Sequence, residues 1–112
     1  MAGVKKIVWD AKRAAPKKAW SPKVLARIDG MYVLRIGKME GEFKWHQHAK
    51  EDELFLVIDG EMIMQTKGGN HRVKAGEGVL VKKGTMHCPK SGGKNPAIIL
   101  LIENSRTKRT GD

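Results

Sequence analysis

Tight turns constrain the fold of this sequence more than any other feature. Asp29-Gly30 and Asp59-Gly60 each separate two short apolar runs, an arrangement typical of β-hairpins. Lys67-Gly68-Gly69-Asn70 forms a third turn, and no segment between these turns sustains the 3.6-residue apolar period of a helix. Turn signals recur roughly every 8–12 residues, which is typical of all-β sandwiches and barrels.

The predicted strands are the apolar or alternating runs between these turns. They cover residues 24–28, 31–36, 42–48, 54–58, 61–66, 71–74, 79–81 and 96–103. Two of the runs, 54–58 and 98–102, are apolar on both faces and therefore need cover on both sides. A barrel interior covers one face, and a second sheet or a second copy of the chain must cover the other.

The length of 112 residues fits one domain, and its positive charge is concentrated at the ends. Residues 1–27 carry eight basic side chains and one acidic side chain, and residues 104–112 carry three basic and one acidic. Residues 28–103 are nearly balanced, with eleven basic and ten acidic side chains. We therefore predict a basic N-terminal arm at 1–20, a barrel at 21–103 and a basic tail at 104–112. Like-charged ends are typical of solvated arms, and the alternative is contact with an anionic partner.

The remaining composition points to a cytoplasmic protein. Cys88 is the single cysteine, so no internal disulfide can form, which suits a reducing compartment. Lysines and arginines break up the first twenty residues, which therefore lack the apolar core of a signal peptide. The longest apolar run, 97–102, is too short to span a membrane.

Four residues have the chemistry and spacing of a metal site. On a strand, His46 and His48 project from the same face, and Glu53 opens the following strand. His87 follows a later turn. Three imidazoles and one carboxylate leave two positions open on an octahedral ion, as catalytic metals require. Glu51 is the alternative carboxylate, but Glu53 shares a strand face with apolar neighbours and is preferred.

The spacing around these four residues resembles the two motifs of the cupin superfamily. The first half reads Gly41-x4-His46-x-His48-x4-Glu53-x6-Gly60, and the second reads Gly76-x5-Lys82-x-Gly84-x2-His87. Three positions depart from the family pattern. The gap from Gly41 to His46 is one residue shorter than usual, Lys82 replaces a proline, and Ser91 replaces an asparagine. None of the three removes a proposed ligand.

The resemblance implies a small jelly-roll β-barrel of antiparallel strands, with His46, His48, Glu53 and His87 binding a divalent transition metal inside it. The donor set suits Mn, Fe, Co, Ni or Zn. Similar proteins include isomerases, epimerases, dioxygenases and decarboxylases. Small cupins commonly form homodimers, often by exchanging N-terminal strands, so residues 20–36 are candidates for that exchange.

Several further residues are candidates for a substrate pocket or have a predicted structural role. Lys44, Phe55 and Met64 are predicted pocket residues, and Lys44 and Lys82 would suit an anionic substrate. Cys88 is predicted to be a buried, inert thiol, and His71 a surface histidine.

These features favour a metal-dependent enzyme acting on a small polar or anionic molecule. One alternative is a non-enzymatic cupin that binds or senses a small ligand in the same cavity. A second alternative is a dimeric scaffold whose basic arms bind nucleic acid. The sequence argues against this last function, because it contains neither a helix-turn-helix pattern nor a basic–aromatic motif.

Overall fold

The computed structural model describes residues 3–112, which fold into antiparallel strands and one short helix. The elements are α1 (Ala11–Ala14), β1 (Lys23–Ile28), β2 (Tyr32–Met39), β3 (Glu53–Asp59), β4 (Glu61–Thr66), β5 (Gly69–Lys74), β6 (Gly78–Val81), β7 (His87–Ser91) and β8 (Ala97–Asn104). One sheet has the order β1-β2-β8-β3-β6 and the other β5-β4-β7. This two-sheet arrangement confirms the predicted all-β jelly roll. No helix within residues 3–112 is long and apolar enough to cross a membrane.

The main core lies between the two sheets and follows the two-residue period of the strands. In β3, Glu53, Phe55 and Val57 are buried, while the residues between them are partly exposed. β4 contributes Met62 and Met64, whose exposed fractions are both zero. One acidic residue, Glu53, therefore lies on the same inward face as the apolar core.

The outer face of the larger sheet is covered in part by the N-terminal segment. Ala14 of α1 is buried against Ile36, Ile98 and Leu100. Asp10 caps this helix by accepting a hydrogen bond from the backbone N–H of Arg13 at 3.0 Å. The expectation of a solvated arm is thus corrected for this stretch. Its lysines are exposed, but Ala14 covers part of the outer face of a sheet whose strands are apolar on both faces.

The prediction of a continuous strand over residues 42–48 is wrong. This segment makes only isolated bridges to β7, from Glu42 to Lys90 and from His46 to His87. The backbone N–H of Phe43 donates to the carbonyl of Pro89, and the N–H of His46 donates to the carbonyl of His87. The chain therefore advances three residues in this segment while it advances two in β7. The extra residue breaks the side-chain alternation in the manner of a β-bulge. Because of it, Phe43 and His46 both face the barrel cavity.

Gly60, between β3 and β4, offers a sharp test of the turn geometry. Its φ is +74°, and a Cβ there would lie 2.7 Å from the carbonyl oxygen of Pro96. We expect Gly60→Ala to lower the free energy of unfolding by at least about 2 kcal/mol, because left-handed strain and a backbone clash add. Gly68→Ala is the matched control, since nothing lies within 4 Å of its Cβ position. Denaturant unfolding measures both, and equal effects would contradict this account.

Candidate metal centre

Three different segments bring the four predicted ligands together. His46 and His48 lie between β2 and β3, Glu53 is the first residue of β3, and His87 is the first residue of β7. Reciprocal backbone hydrogen bonds of 2.9 Å join His46 to His87. All four side chains are buried, and each offers one ligand atom within 4.8 Å of the others. The structure thus gathers the residues that sequence spacing selected.

Backbone carbonyls fix the orientation of two of the imidazoles. Nδ1 of His46 lies 2.8 Å from the carbonyl oxygen of Lys44, and Nδ1 of His87 lies 2.8 Å from that of Thr85. A carbonyl can only accept a hydrogen bond, so each Nδ1 carries the proton. The Nε2 lone pairs are then free to bind a metal, which is the usual arrangement behind a ligating histidine.

The Nε2 atoms of His48 and His87 converge on one carboxylate oxygen. They lie 3.0 and 3.3 Å from Oε1 of Glu53. None of these three buried atoms has a hydrogen-bond partner among the described residues, so the contacts are close but poorly aligned for hydrogen bonding. Ligands at 2.0–2.2 Å from one shared ion would lie about 3 Å apart. The cluster therefore fits a divalent metal, which would also satisfy its unpartnered polar atoms.

Burial keeps His46 in the neutral form that a metal needs. Desolvation lowers its pKa below the usual 6.5, with only partial opposition from the Lys44 carbonyl, and His87 and His48 lower it further. We expect the His46 ring signals of the metal-free protein to titrate with a midpoint below 6.5 in an NMR pH series. A midpoint at or above 6.5 would contradict the burial argument.

A second carboxyl group, Glu103, lies directly beside Glu53 and was not anticipated from the sequence. The two face each other in the register of β3 and β8, and Arg35 of β2 forms an ion pair with Glu103. Burial and the adjacent Glu53 raise the pKa of Glu103 to about 9, against the effect of Arg35. Burial also acts to raise the pKa of Glu53, but its close polar contacts with His87 and Glu103 outweigh burial and lower that pKa. Arg35 and Glu103 thus lie directly behind Glu53, whose contacts with His87 and Glu103 favour its carboxylate form.

The metal cluster opens into a cavity of about 490 Å³. His46 and Glu53 contribute to its lining, together with Phe55 as the sequence predicted. Trp20 and Phe43 form an aromatic wall, with ring centroids 4.8 Å apart. A cavity of this size suits a small molecule.

Two predicted pocket residues do not line this cavity. Lys44 is exposed to solvent, because the bulge between Phe43 and His46 removes the alternation that placed Lys44 beside the histidines. Met64 is fully buried in the core between the sheets. Lys82, a proposed contact for an anionic substrate, instead pairs with Asp52 at 3.3 Å.

The segment after β8 packs beside the metal cluster. Thr107 is buried, and Arg109 places its guanidinium carbon 5.6 Å from the ring centroid of Phe43. Asp112 donates a backbone hydrogen bond of 3.0 Å to Gln47 and accepts one of 2.7 Å from the N–H of Ala49. The expectation of a solvated tail is therefore corrected for these residues.

Two side chains outside the site have the predicted burial. Cys88 is a free thiol with an exposed fraction of zero, and burial raises its pKa. His71 is exposed on β5. Neither contributes a ligand atom to the cluster of His46, His48, Glu53 and His87.

Comparison with known proteins gives the class of this chain. Residues 32–103 match the Cupin_2 family, described as the cupin domain, and the chain therefore belongs to that family. It is a small cupin, and its jelly roll carries the histidine and glutamate cluster described above.

Three known proteins are similar to this chain, one by sequence and two by structure. "Uncharacterized protein YdbB" of Bacillus subtilis (strain 168) is 38% identical over 61 residues, which cover 54% of each protein, so the match spans about half of that relative. A cupin-2 domain containing protein from Shewanella frigidimarina is 36% identical with a TM-score of 0.74, over 79% of this chain and 83% of that one. Protein NMB1881 from Neisseria meningitidis is 27% identical with a TM-score of 0.70, over 80% and 89% respectively.

Proposed function

We propose that this cupin is a metal-dependent enzyme acting on a small polar or anionic molecule. The observation that carries the proposal is the convergence of three buried imidazoles and one carboxylate on the wall of a cavity sized for a small ligand. A divalent metal there would supply Lewis-acid or redox chemistry at positions that the protein leaves open. Mn, Fe, Co, Ni and Zn all suit this donor set.

The surrounding residues hold the predicted ligands in place and shape the cavity beside them. The carbonyls of Lys44 and Thr85 hold two imidazole rings in their metal-binding orientation. Arg35 binds Glu103, which lies against the Glu53 carboxylate and orients it. Phe43, Phe55 and Leu101 add an apolar part to the cavity lining.

Turnover by metal-loaded protein tests the enzymatic proposal. The protein is purified without chelator or metal-affinity resin, analysed for bound elements and loaded with each of the five metals. It is then screened against small sugars, hydroxy acids and keto acids. We expect conversion of at least one compound by wild type and none by His48→Ala. Binding of a compound without conversion by any metal form would favour the sensor alternative.

We also propose that the protein forms a homodimer through the segment at 20–36. Four large apolar side chains are exposed on or beside the β1–β2 hairpin, namely Val24, Ile28, Met31 and Tyr32. A second copy would remove this apolar surface from water. Sedimentation equilibrium of wild type and Ile28→Glu tests the proposal, with a dimer and a monomer expected respectively. A monomeric wild type at all concentrations would contradict it.

A further inference from the structure

We infer that the cavity binds a carboxylate, and that Arg109 and Thr107 form the subsite for that group at the cavity mouth. This inference rests on the proposed function only in that the other end of the ligand reaches the metal. It extends that proposal by naming the charged group of the ligand and the residues that select it.

The charges in the cavity lining are not balanced within the protein. Of the three basic residues there, Arg35 forms an ion pair with Glu103. The remaining acidic residue, Glu53, belongs to the metal cluster. Lys38 projects from the outer face of β2, where its Nζ donates to the carbonyl of Lys17 at 3.3 Å. Arg109 forms no ion pair with any residue between 3 and 112. With a divalent ion in place, the cavity therefore carries excess positive charge, which favours an anionic ligand.

Arg109 is held at the mouth in a way that leaves its hydrogen-bond donors free. Its guanidinium lies over the face of Phe43, whose ring in turn contacts His46 with centroids 5.4 Å apart. Stacking on an aromatic ring orients the planar guanidinium without using its N–H groups. A fork of this shape binds both oxygens of a carboxylate at once. The site therefore favours a carboxylate over a neutral hydroxyl group.

Thr107 supplies a second polar group from the same segment. Its residue is 9% exposed, its Oγ1 has no hydrogen-bond partner among residues 3–112, and it lines the same cavity. Leaving a buried hydroxyl unpaired costs free energy, so such a group usually has a partner. A ligand oxygen in the cavity would provide that partner.

The backbone fixes this segment against the metal site. Gly111 approaches His46 so closely that a Cβ at that position would lie 2.8 Å from the His46 Cβ. The hydrogen bonds from Asp112 to Gln47 and from Ala49 to Asp112 hold the same contact. Arg109 and Thr107 therefore approach the cavity from a segment anchored beside a predicted ligand.

Matched acids and amides test the subsite by direct binding. The probes are glycolate, lactate, malate and gluconate, each compared with its neutral amide. Calorimetry measures their affinity for metal-loaded wild type, Arg109→Gln and Arg27→Gln, an exposed control on β1. We expect wild type to bind at least one acid more tightly than its amide. Arg109→Gln should lose about 10- to 100-fold in acid affinity and little in amide affinity, with Arg27→Gln unchanged.

Two further variants separate recognition from folding. Arg109→Lys should bind acids with intermediate affinity, because it keeps the charge and loses the fork. Thr107→Val should weaken acid binding several-fold while its Tm stays the same or rises, since the buried hydroxyl is removed. A role for Thr107 in folding alone would leave acid binding unchanged.

The outcomes distinguish this inference from the proposed function. Equal binding of acids and amides, binding of no acid, or wild-type acid affinity in Arg109→Gln would overturn the inference. Bound metal is measured on the same samples, so a loss of acid binding through loss of metal is recognised directly. Selective acid binding without any turnover would leave the inference standing while the enzymatic proposal fails.

Discussion

Replacing His48 with alanine is expected to lower divalent-metal affinity by more than about 100-fold. Removing a partner that only orients a ligand already costs 10–100-fold, and His48 is itself predicted to be a ligand. Its Nε2 is buried within the cluster, 3.0 Å from Oε1 of Glu53. Calorimetric titration of the metal-free protein with Mn and Zn measures the effect.

A pair of carboxylate variants provides the control for this result. Glu53→Gln should also lose metal, whereas Glu51→Gln should retain it, because the carboxylate of Glu51 is bound to Arg106 at 2.7 Å. His71→Ala controls for loss of an exposed histidine. Circular dichroism establishes that each variant is folded. Tight metal binding by folded His48→Ala, or metal loss in Glu51→Gln alone, would show that the ligand set is wrong.

The second large effect is expected at Met64, which packs in the core. Met64→Ala should lower the free energy of unfolding by about 2–5 kcal/mol, the usual range for truncating a fully buried side chain. Its exposed fraction is zero, and its neighbours belong to both sheets, so the cavity cannot collapse easily. Denaturant unfolding of the metal-free protein measures this without any contribution from a bound ion.

Two comparisons sharpen the Met64 result. Met64→Leu conserves volume and should cost less than about 1.5 kcal/mol. Leu80→Ala, at a position that is 53% exposed, should change stability little. Metal affinity of Met64→Leu should equal that of wild type, because this residue does not line the cavity. Weaker metal binding in Met64→Leu would restore Met64 to the pocket.

The metal cluster was predictable because its signals are local. His46 and His48 are two residues apart, and Glu53 shares the inward face of β3 with Phe55. Glu53 follows the two-residue period of β3, and His46 and His48 keep the same alternation outside a regular strand, with Gln47 exposed between them. His87 required a spacing pattern around Gly76 and Gly84, since nothing in the period of β7 singles it out.

Long-range contacts and irregular backbone explain what the sequence did not predict. The bulge between Phe43 and His46 changes the side-chain directions in this segment. The sequence prediction assumed a regular strand, so it included Lys44 in the pocket and omitted Phe43, which lines the cavity. β7 went unrecognised because Pro89 lies within it. Arg35 and Glu103 occupy inward positions of β2 and β8, and a charged residue at an inward position is a signal that alternation alone could have found.

The terminal segments show why charge counts alone do not place a segment. Their lysines are exposed, as blocks of like charge predict, yet Ala14 and Thr107 within them are buried. A few apolar or small residues are enough to fix such a segment on a barrel surface. For Arg109, this docking turns a basic residue in the tail into part of the cavity lining.

Anomalous X-ray scattering from crystals grown with a divalent transition metal tests the central claim most directly. We expect one anomalous peak per chain, about 2.0–2.3 Å from the Nε2 atoms of His46, His48 and His87 and from a carboxylate oxygen of Glu53. A peak elsewhere, or none at this cluster at saturating metal concentration, would contradict the assignment of this site.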